Sequence, residues 1–342
     1  MIMAMFTKLN SIKIFGFITI LGIIFMLGAC GQKADQSNTD GKASKKEALR
    51  EPQVKLDLES ILERDTLNAI TSFSTTSYFI YRGQQMGYEY ELLQRLADHL
   101  GVELNIVLAK DIDKLFTMLN RGKGDLIAYS LTVTNKREKR VDFTVPHNHV
   151  RQVLVQRKPK NWRYMRQSKI DQHMLRNPLN MKGDTVYVRK NSAYYERLKS
   201  ISDEIVGDSI HIVEADADTE TEELIKWVSE GKIDYTVADE NLAKVNQTYY
   251  DNLDIETKLS FPQEIAWAVR ENSPKLKDTL NDWINSMKGT MVYNVIYNKY
   301  YKNRRASQKR RRSAFFTLTT NNISEFDPLF KKYSENLPYD WL

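Results

Sequence analysis

Residues 122–143 read GKGDLIAYSLTVTNKREKRVDF, and this stretch decides the fold class. Gly122 is placed to end a helix, because glycine adopts the left-handed conformation that closes many helices. Residues 125–133 are apolar enough for a buried strand, and a polar run from Thr134 to Arg140 begins where that strand ends. Open α/β sheets bind ligands at the carboxyl ends of their strands, so the polar run is a candidate site.

The residues before this stretch complete a β-α-β-α-β unit. Leu67–Phe73 is an apolar strand, and residues 88–100 form an amphipathic helix that Gly101 ends. Residues 102–108 alternate between apolar and polar, which is strand periodicity, and residues 115–119 mark a second helix. The order indicates an α/β fold with a mainly parallel sheet and helices on both faces.

A second unit of the same kind follows. Its strands are predicted at Asp184–Lys190, His211–Ala215 and Ile233–Ala238, and its helices at Ala193–Ser200 and up to Glu230. We expect Asn191 and Ser192 to cap the first helix, and Thr219 with Glu222 to form a capping box on the second. A returning strand at Ile265–Val269 precedes a helix that Ser273 caps with Pro274 in its first turn, and a last helix spans Thr290–Tyr301.

Composition excludes several classes of protein. The 342 residues are 42% hydrophobic and 27% charged, as in soluble globular proteins, and one cysteine excludes both a disulfide framework and a cysteine-based metal centre. The net charge of +6 comes from residues 302–312, which carry seven basic residues, whereas the remainder carries −1. We therefore expect no nucleic-acid partner and no cofactor. His147 and His149 form a His-x-His pair, but no third ligand is evident, so they are interpreted as surface residues rather than a metal site.

The first 30 residues are typical of an export signal. Lys8 and Lys13 precede an apolar run that is too short for a membrane span and ends in Leu27-Gly28-Ala29-Cys30. That ending resembles the bacterial lipobox, whose cysteine is lipidated and becomes the mature N-terminus; an ordinary anchor helix with a chance cysteine is the alternative. Residues 31–59 would then be a flexible tether. Gly31 after the cysteine resembles an outer-membrane address, so we expect a lipid-anchored protein that faces the periplasm.

Several ordered motifs resemble the family-3 extracellular solute-binding proteins. Residues 122–143 match their G-x-x-D…[ST]-[IV]-T-x-x-R-x-x-x-[VI]-x-F pattern, residues 87–92 their G-[FY]-x-x-[DE]-L helix start, and residues 234–239 their D-x-x-x-x-D strand end. The resemblance implies a two-lobed α/β fold of the periplasmic-binding-protein type II class, with two hinge strands. It places the binding domain at 60–301, with lobe 1 at 60–151 and 263–301, lobe 2 at 152–262, and hinges near 152–156 and 259–263.

The same resemblance implies a ligand site between the lobes. Arg137 would bind a ligand carboxylate, since a guanidinium donates two parallel hydrogen bonds, and Asp239 would bind the ligand ammonium. Thr134 or Asn135 would cap the short helix that positions Arg137. The remaining matched positions are the hydroxyl of Thr132, the loop amides of Ser192 and Ala193, and an aromatic position at Tyr78 or Phe79. Tyr129 replaces a small residue beside the ligand. The implied partner is a small zwitterion, an amino acid or cell-wall peptide, bound by hinge closure to a monomer.

A narrower resemblance covers residues 221–239 and the tail. Residues 326–342 (FDPLFKKYSENLPYDWL) are similar to the opening helix of the catalytic domain in membrane-bound lytic murein transglycosylase F proteins. Residues 324–342 would be the start of that domain and residues 302–323 a basic linker, for which anionic envelope polymers, peptidoglycan or lipid are candidate partners and a solvated segment is the alternative. The family's E-S-x-[FW] motif with its catalytic Glu is not found in the sequence, so no glycan cleavage by this chain is expected.

Three functions remain open from the sequence. The first is the regulatory module of a lytic transglycosylase. The second is a free-standing amino-acid-binding lipoprotein of an ABC transporter, although a basic linker and a domain-opening helix have no role there. The third is an enzyme on the same fold, such as a periplasmic dehydratase. The sequence offers little support for this function.

Overall fold

The computed structural model describes residues 54–109, 111–314, 316, 318 and 326–334, all within one compact unit that spans Arg50–Leu342. The expected signal sequence, Cys30, most of the tether and the end of the tail lie outside the described residues. The helices are α1 (Leu58–Glu63), α2 (Tyr88–Leu100), α3 (Ile112–Asn120), α4 (Gln167–Asp171), α5 (Ala193–Glu204), α6 (Thr221–Glu230), α7 (Glu240–Gln247), α8 (Pro274–Met287), α9 (Met291–Tyr297), α10 (Arg304–Arg311) and α11 (Asp327–Ser334).

The strands form two separate sheets and a hairpin. They are β1 (Thr66–Thr71), β2 (Phe79–Tyr81), β3 (Gln84–Met86), β4 (Glu103–Leu108), β5 (Leu126–Thr132), β6 (Asp142–Phe143), β7 (Asn148–Val150), β8 (Gln152–Arg157), β9 (Thr185–Val188), β10 (His211–Glu214), β11 (Tyr235–Asp239), β12 (Leu253–Asp254) and β13 (Gln263–Val269). The first sheet has the order β4-β1-β5-β13-β6, with β7 also paired to β13, and the second has the order β10-β9-β11-β8-β12. We call the parts built on these sheets lobe 1 and lobe 2.

Both sheets are mixed, for a reason that follows from the chain path. The crossover strands pair in parallel, β1 with β4 and β5 in lobe 1 and β9 with β10 and β11 in lobe 2. The strands next to the crossings between lobes pair antiparallel, β13 with β5 and β8 with β11. The chain passes from lobe 1 to lobe 2 at Arg151, between β7 and β8, and returns between β12 and β13. The structure is therefore the two-lobed α/β arrangement that was expected.

Helices cover both faces of each sheet, as parallel strands require. In lobe 1 the predicted apolar face of α2 packs on one side, with Leu92, Leu93 and Leu96 buried, and α3 packs on the other. In lobe 2 α5 and α6 take the equivalent places. No helix among the described residues is both long enough and apolar enough to span a bilayer.

Two predicted helix caps differ from the structure, and one predicted short helix is a turn. Glu220, not Thr219, precedes α6, and Glu222 contacts lobe 1 instead of closing a capping box, so that prediction was wrong. Ser273 precedes α8, but its hydroxyl donates to the Leu56 carbonyl, and Asp57 accepts the Leu276 amide at 2.8 Å in its place. The expected short helix at Arg137 is a pair of turns, and the Thr134 hydroxyl accepts the Arg137 amide at 3.4 Å, as predicted for the capping residue. At α6 and α8, contacts that are distant in sequence replaced the predicted local caps.

The basic segment after the last predicted helix packs against both lobes through α10. Arg310 is buried with its guanidinium 5.4 Å from the Phe79 ring centre in lobe 1. On lobe 2, Gln308 donates to the Thr248 carbonyl at 3.0 Å and Arg311 donates to the Tyr250 hydroxyl at 2.6 Å. The part of the expected linker that the structure describes therefore includes a packed helix.

Candidate functional site

A small cavity of about 40 Å³ lies where the two lobes meet. Six of the residues predicted from the sequence line it: Tyr129, Thr132, Arg137, Ser192, Ala193 and Asp239. A cavity of that size holds only ~3 water molecules, so the lobes stand in a closed arrangement around it. Most of the lining residues carry polar groups, among them hydroxyls, two arginines and a carboxylate.

Arg137 reaches the cavity from the turn that follows β5. Its Nη1 donates to the Thr132 carbonyl at 2.8 Å, and its Nη2 donates to the Asn191 carbonyl of lobe 2 at 3.4 Å. Burial lowers the pKa of Arg137 to about 10, although Tyr194, Tyr129 and Asp239 act in the opposite direction. The guanidinium therefore stays charged at neutral pH and touches both lobes.

Asp239 ends β11 on the lobe 2 side of the cavity. Burial raises the pKa of its carboxyl to about 7, while a hydrogen bond from Tyr194 and the charge of Arg137 act to lower it. Its side chain does not cap α7, which begins at the next residue. A buried carboxyl that neither caps a helix nor has a close ion pair among the described residues is available to a cation in the cleft.

The start of α5 presents polar groups to the same space. Ser192 precedes the helix without a side-chain cap bond, and its hydroxyl oxygen is buried with no hydrogen-bond partner among the described residues. Asn191 before it has a φ of 59°, a strained conformation for a residue with a side chain. The first amides of a helix lack intrahelical partners and favour an anion, so this loop suits a carboxylate.

Tyr129 points into the cleft toward an arginine that the sequence interpretation missed. The Tyr129 hydroxyl accepts a hydrogen bond from Arg189 of lobe 2, and the guanidinium carbon lies 5.5 Å from the ring centre. Arg189 also pairs with Glu220, with contacts of 2.7 Å and 2.6 Å. Burial raises the pKa of Glu220 to about 8, and Arg189 acts to lower it. Nothing near either residue in the sequence signals this pair.

A hydroxyl-rich run in lobe 1 contacts the start of α6 in lobe 2. Residues 72–77 read SFSTTS, directly after β1, and five of these six side chains are buried hydroxyls. The Ser74 hydroxyl donates to Glu222 at 2.9 Å, and the Thr75 amide donates to the same oxygen at 3.0 Å. A polar run at the carboxyl end of a strand is the sequence signal that could have identified this contact.

The two aromatic positions expected beside the ligand lie outside the cavity lining. Tyr78 packs against Phe73 and Tyr90, and Phe79 packs against Tyr300 and Phe316 in the lobe 1 core. Both side chains are buried among other rings. The hydroxyl run at residues 72–77 faces the cleft, and the rings of Tyr78 and Phe79 that follow it do not, so the motif was aligned a few residues too far along the chain.

His147 is buried rather than on the surface, which corrects the sequence interpretation, while His149 is exposed. Nε2 of His147 lies 3.9 Å from Oε1 of Glu89, and burial lowers the pKa of His147 to about 3. Glu89 accepts a hydrogen bond from the Trp267 indole at 2.7 Å, and burial raises its pKa to about 7. Among the described residues, no group of three or more His, Cys, Asp and Glu side chains is arranged to hold a metal ion.

Most of the chain matches curated proteins that share one name. It is 33% identical over 284 residues to membrane-bound lytic murein transglycosylase F of Desulfosudis oleivorans, a match that covers 83% of this chain and 59% of the relative. Further proteins of the same name, from Idiomarina and Pseudomonas species, also match. The chain thus spans about half the length of the curated relatives it matches, from 45% to 59%.

Solved structures with the same fold are amino-acid-binding proteins. The P235GK mutant of ArgBP from T. maritima has a TM-score of 0.61 at 24% identity, over 72% of this chain and 100% of that one. AbpA from Streptococcus pneumoniae, solved bound to L-arginine, has a TM-score of 0.60 at 20% identity, over 73% and 98%. These matches confirm the type II periplasmic-binding-protein fold. The sequence model of the family of bacterial extracellular solute-binding proteins, family 3, matches residues 70–303. The chain therefore belongs to that family.

Proposed function

We propose that the chain captures a small zwitterionic ligand, an amino acid or a cell-wall peptide, between its lobes. The observation that carries the proposal is that Arg137 of lobe 1 and Asp239 of lobe 2 line one cavity. A guanidinium and a carboxylate on opposite walls complement the carboxylate and ammonium of such a ligand. Ser192 and the amides at the start of α5 add donors on the carboxylate side.

Binding would couple to lobe movement. The cavity of about 40 Å³ is too small for a free amino acid, so the lobes must separate before a ligand enters and close again around it. A ligand that touches Arg137 and Asp239 together contacts both lobes only when they are closed. It therefore favours the closed state by its differential contacts.

Thermal-shift screening of the proteinogenic L-amino acids and of short murein peptides, followed by calorimetry, tests the proposal. Each charge-assisted contact contributes about 1.5–3 kcal/mol, so Arg137→Ala and Asp239→Asn should each weaken binding about tenfold or more. Lys136→Ala is the matched control, since Lys136 is exposed beside Arg137 and pairs only loosely with Glu196 at 3.5 Å. Equal affinity in all three variants, or no ligand in the screen, would contradict the proposal.

For the biological setting, we infer that this binding unit is the regulatory part of a lytic murein transglycosylase. The support is the name shared by the curated relatives, which match at up to 33% identity. The runner-up is a free-standing receptor of an amino-acid ABC transporter, supported by the solved structures that share the fold. Permease and ATPase genes beside this one would favour the transporter. An E-S-x-[FW] motif encoded downstream, in frame or after a frameshift, would favour the transglycosylase.

We also infer a lipid anchor at Cys30 that holds the protein at the periplasmic face of a membrane. The support is the sequence Leu27-Gly28-Ala29-Cys30 after an apolar run. Metabolic labelling with palmitate should mark the wild-type protein, and Cys30→Ala should abolish the label and release the protein from the membrane fraction. Unchanged membrane association of Cys30→Ala would contradict the anchor.

A further inference from the structure

A guanidinium of the chain itself fills one end of the cleft. The side chain of Arg189 is 2% exposed and lies at the cavity wall. Two of its nitrogens face the two carboxylate oxygens of Glu220, at 2.7 Å from Nη2 to Oε1 and 2.6 Å from Nη1 to Oε2. Its Nη1 also donates to the Tyr129 hydroxyl, and the Tyr129 ring lies alongside it. The arginine is thus bound on two sides, by lobe 2 and by lobe 1.

The groups around Arg189 suit a guanidinium. Glu220 accepts a hydrogen bond at Oε1 and brings a carboxylate charge close to the guanidinium, and an aromatic ring attracts that cation as well. The Ser72 hydroxyl donates to Glu220 Oε1 at 2.9 Å and holds that carboxylate in place. Ser72 follows β1 and Tyr129 lies in β5 of lobe 1, whereas Glu220 precedes α6 of lobe 2, so the two lobes bring these partners together around Arg189.

We propose that Arg189 is an internal occupant of a cation subsite of the cleft, and that it makes the protein reject ligands with guanidinium or ammonium side chains. The exclusion of cationic ligands rests on the proposed function, whereas the guanidinium subsite does not. A second cation at this position would have to displace Arg189 from the partly buried carboxylate of Glu220, and the displaced guanidinium would then lie unpaired in the cleft. The ligand side chain must therefore be neutral or acidic.

The test removes the internal guanidinium and offers a free one. Arg189→Ala should bind guanidinium ion at low millimolar concentration, measured by calorimetry and thermal shift against sodium chloride of equal ionic strength, whereas the wild type should not. Replacing Glu220 as well, in Arg189→Ala/Glu220→Gln, removes the carboxylate and should weaken guanidinium binding about ten- to hundredfold. Arg189→Lys keeps a cation in place and should not bind guanidinium.

Each outcome decides between the alternatives. A folded Arg189→Ala protein that does not bind guanidinium overturns the inference. Guanidinium binding of equal strength in Arg189→Ala and Arg189→Ala/Glu220→Gln overturns it as well. Arg189→Ala leaves the partly buried Glu220 without its partner. If that variant does not fold alone, guanidinium should restore folding, whereas Arg189→Met/Glu220→Gln, with no unpaired charge, should fold without it. A single variant that guanidinium fails to restore, beside a folded double variant, again overturns the inference.

L-Arginine separates this inference from the proposed function. Arg189→Ala should bind L-arginine, with its side chain in the vacated subsite and its α-groups on Arg137 and Asp239, and wild type should not. Guanidinium binding without L-arginine binding would leave the subsite standing and count against the zwitterion site. Tight L-arginine binding by the wild-type protein would overturn the exclusion of cationic ligands.

Discussion

The hydroxyl of Ser72 donates a hydrogen bond to Oε1 of Glu220 at 2.9 Å, and this contact joins the end of β1 in lobe 1 to the start of α6 in lobe 2. The Ser74 hydroxyl makes the equivalent bond to Glu222 at 2.9 Å. Side chains of the protein itself therefore bond across the cleft and contribute to holding the lobes together. A ligand that touches both lobes would add its contacts to these bonds.

Removing these two hydroxyls should open the cleft. A hydrogen bond to a charged group contributes about 1.5–3 kcal/mol, so Ser72→Ala/Ser74→Ala should shift the open–closed equilibrium toward open by about tenfold or more. Val206 in lobe 2 and Met291 in lobe 1 are exposed. Nitroxide labels on cysteines introduced at these two positions, with Cys30 replaced, report the distance between the lobes by electron paramagnetic resonance. The variant should show a longer distance distribution than the parent.

The matched control for that experiment is Ser286→Ala. The Ser286 hydroxyl donates only within its own helix, to the Trp283 carbonyl at 2.7 Å, and spans no cleft. Its distance distribution should equal that of the parent. An unchanged distribution in the Ser72/Ser74 variant would show that other contacts, such as Arg137 to Asn191, are sufficient for closure.

Glu89 should make stability depend on pH. The carboxyl is fully buried in lobe 1, and burial raises its pKa from 4.5 to about 7. The folded state then binds more protons than the unfolded state across that window, so the free energy of unfolding falls as pH rises from about 4.5 to about 7. Glu89→Gln, which keeps an acceptor for Trp267, should be more stable than wild type at about pH 8 by at most about 3 kcal/mol, and similar at about pH 4.

Urea unfolding at several pH values measures this effect. Only the difference between Glu89→Gln and wild type is informative, because burial also raises the pKa values of Asp239 and Glu220 in the same direction. A difference that stays constant from acid to alkaline pH would show that Glu89 keeps its ordinary pKa in the fold.

Most of the fold was predictable because it rests on local patterns. The strand at β5 and the helix at α2 were read within a residue of their observed bounds, since apolar periodicity and a following glycine define them. Gly101 and Gly231 adopt the left-handed conformation with φ of 70° and 79°, as expected of residues that end helices. Helix caps were harder to predict, because Asp57 accepts an amide at the start of α8 from more than 200 residues away.

The site was predictable only where a motif marked it. Arg137 follows the end of β5 and Asp239 is the last residue of β11, both within recognisable patterns, and both line the cavity. Arg189 and Glu220 belong to no pattern, since they lie 31 residues apart and meet only when lobe 2 folds. Charged residues are rarely buried, so sequence alone favours placing both on the surface. Their ligand-binding roles, like those of the motif residues, remain predictions for the experiments above.

Arg310 should stabilise the packing of the basic helix α10. Its guanidinium lies 5.4 Å from the Phe79 ring centre and 5.7 Å from that of Tyr300, and the residue is buried. Arg310→Ala removes both cation–π contacts and the packing of the stem, and should lower the free energy of unfolding by about 1–3 kcal/mol. Lys309→Ala, an exposed neighbour of equal charge, should change it by no more than about 0.5 kcal/mol. Equal losses in urea unfolding would mean that net charge, not packing, holds α10.

Tyr194 should set the pH at which the cleft binds its ligand. Asp239 has a pKa raised to about 7 by burial, and the Tyr194 hydroxyl bonds to its carboxylate and opposes that rise. A ligand ammonium needs the carboxylate form, so affinity should increase as pH rises through about 7. Tyr194→Phe removes the bond and should move that midpoint to higher pH, measured by calorimetry with a ligand from the screen. Tyr195→Phe, a neighbour outside the cavity lining, should leave the midpoint unchanged. A midpoint that Tyr194→Phe leaves in place would mean that the Asp239 carboxylate does not bind the ligand ammonium.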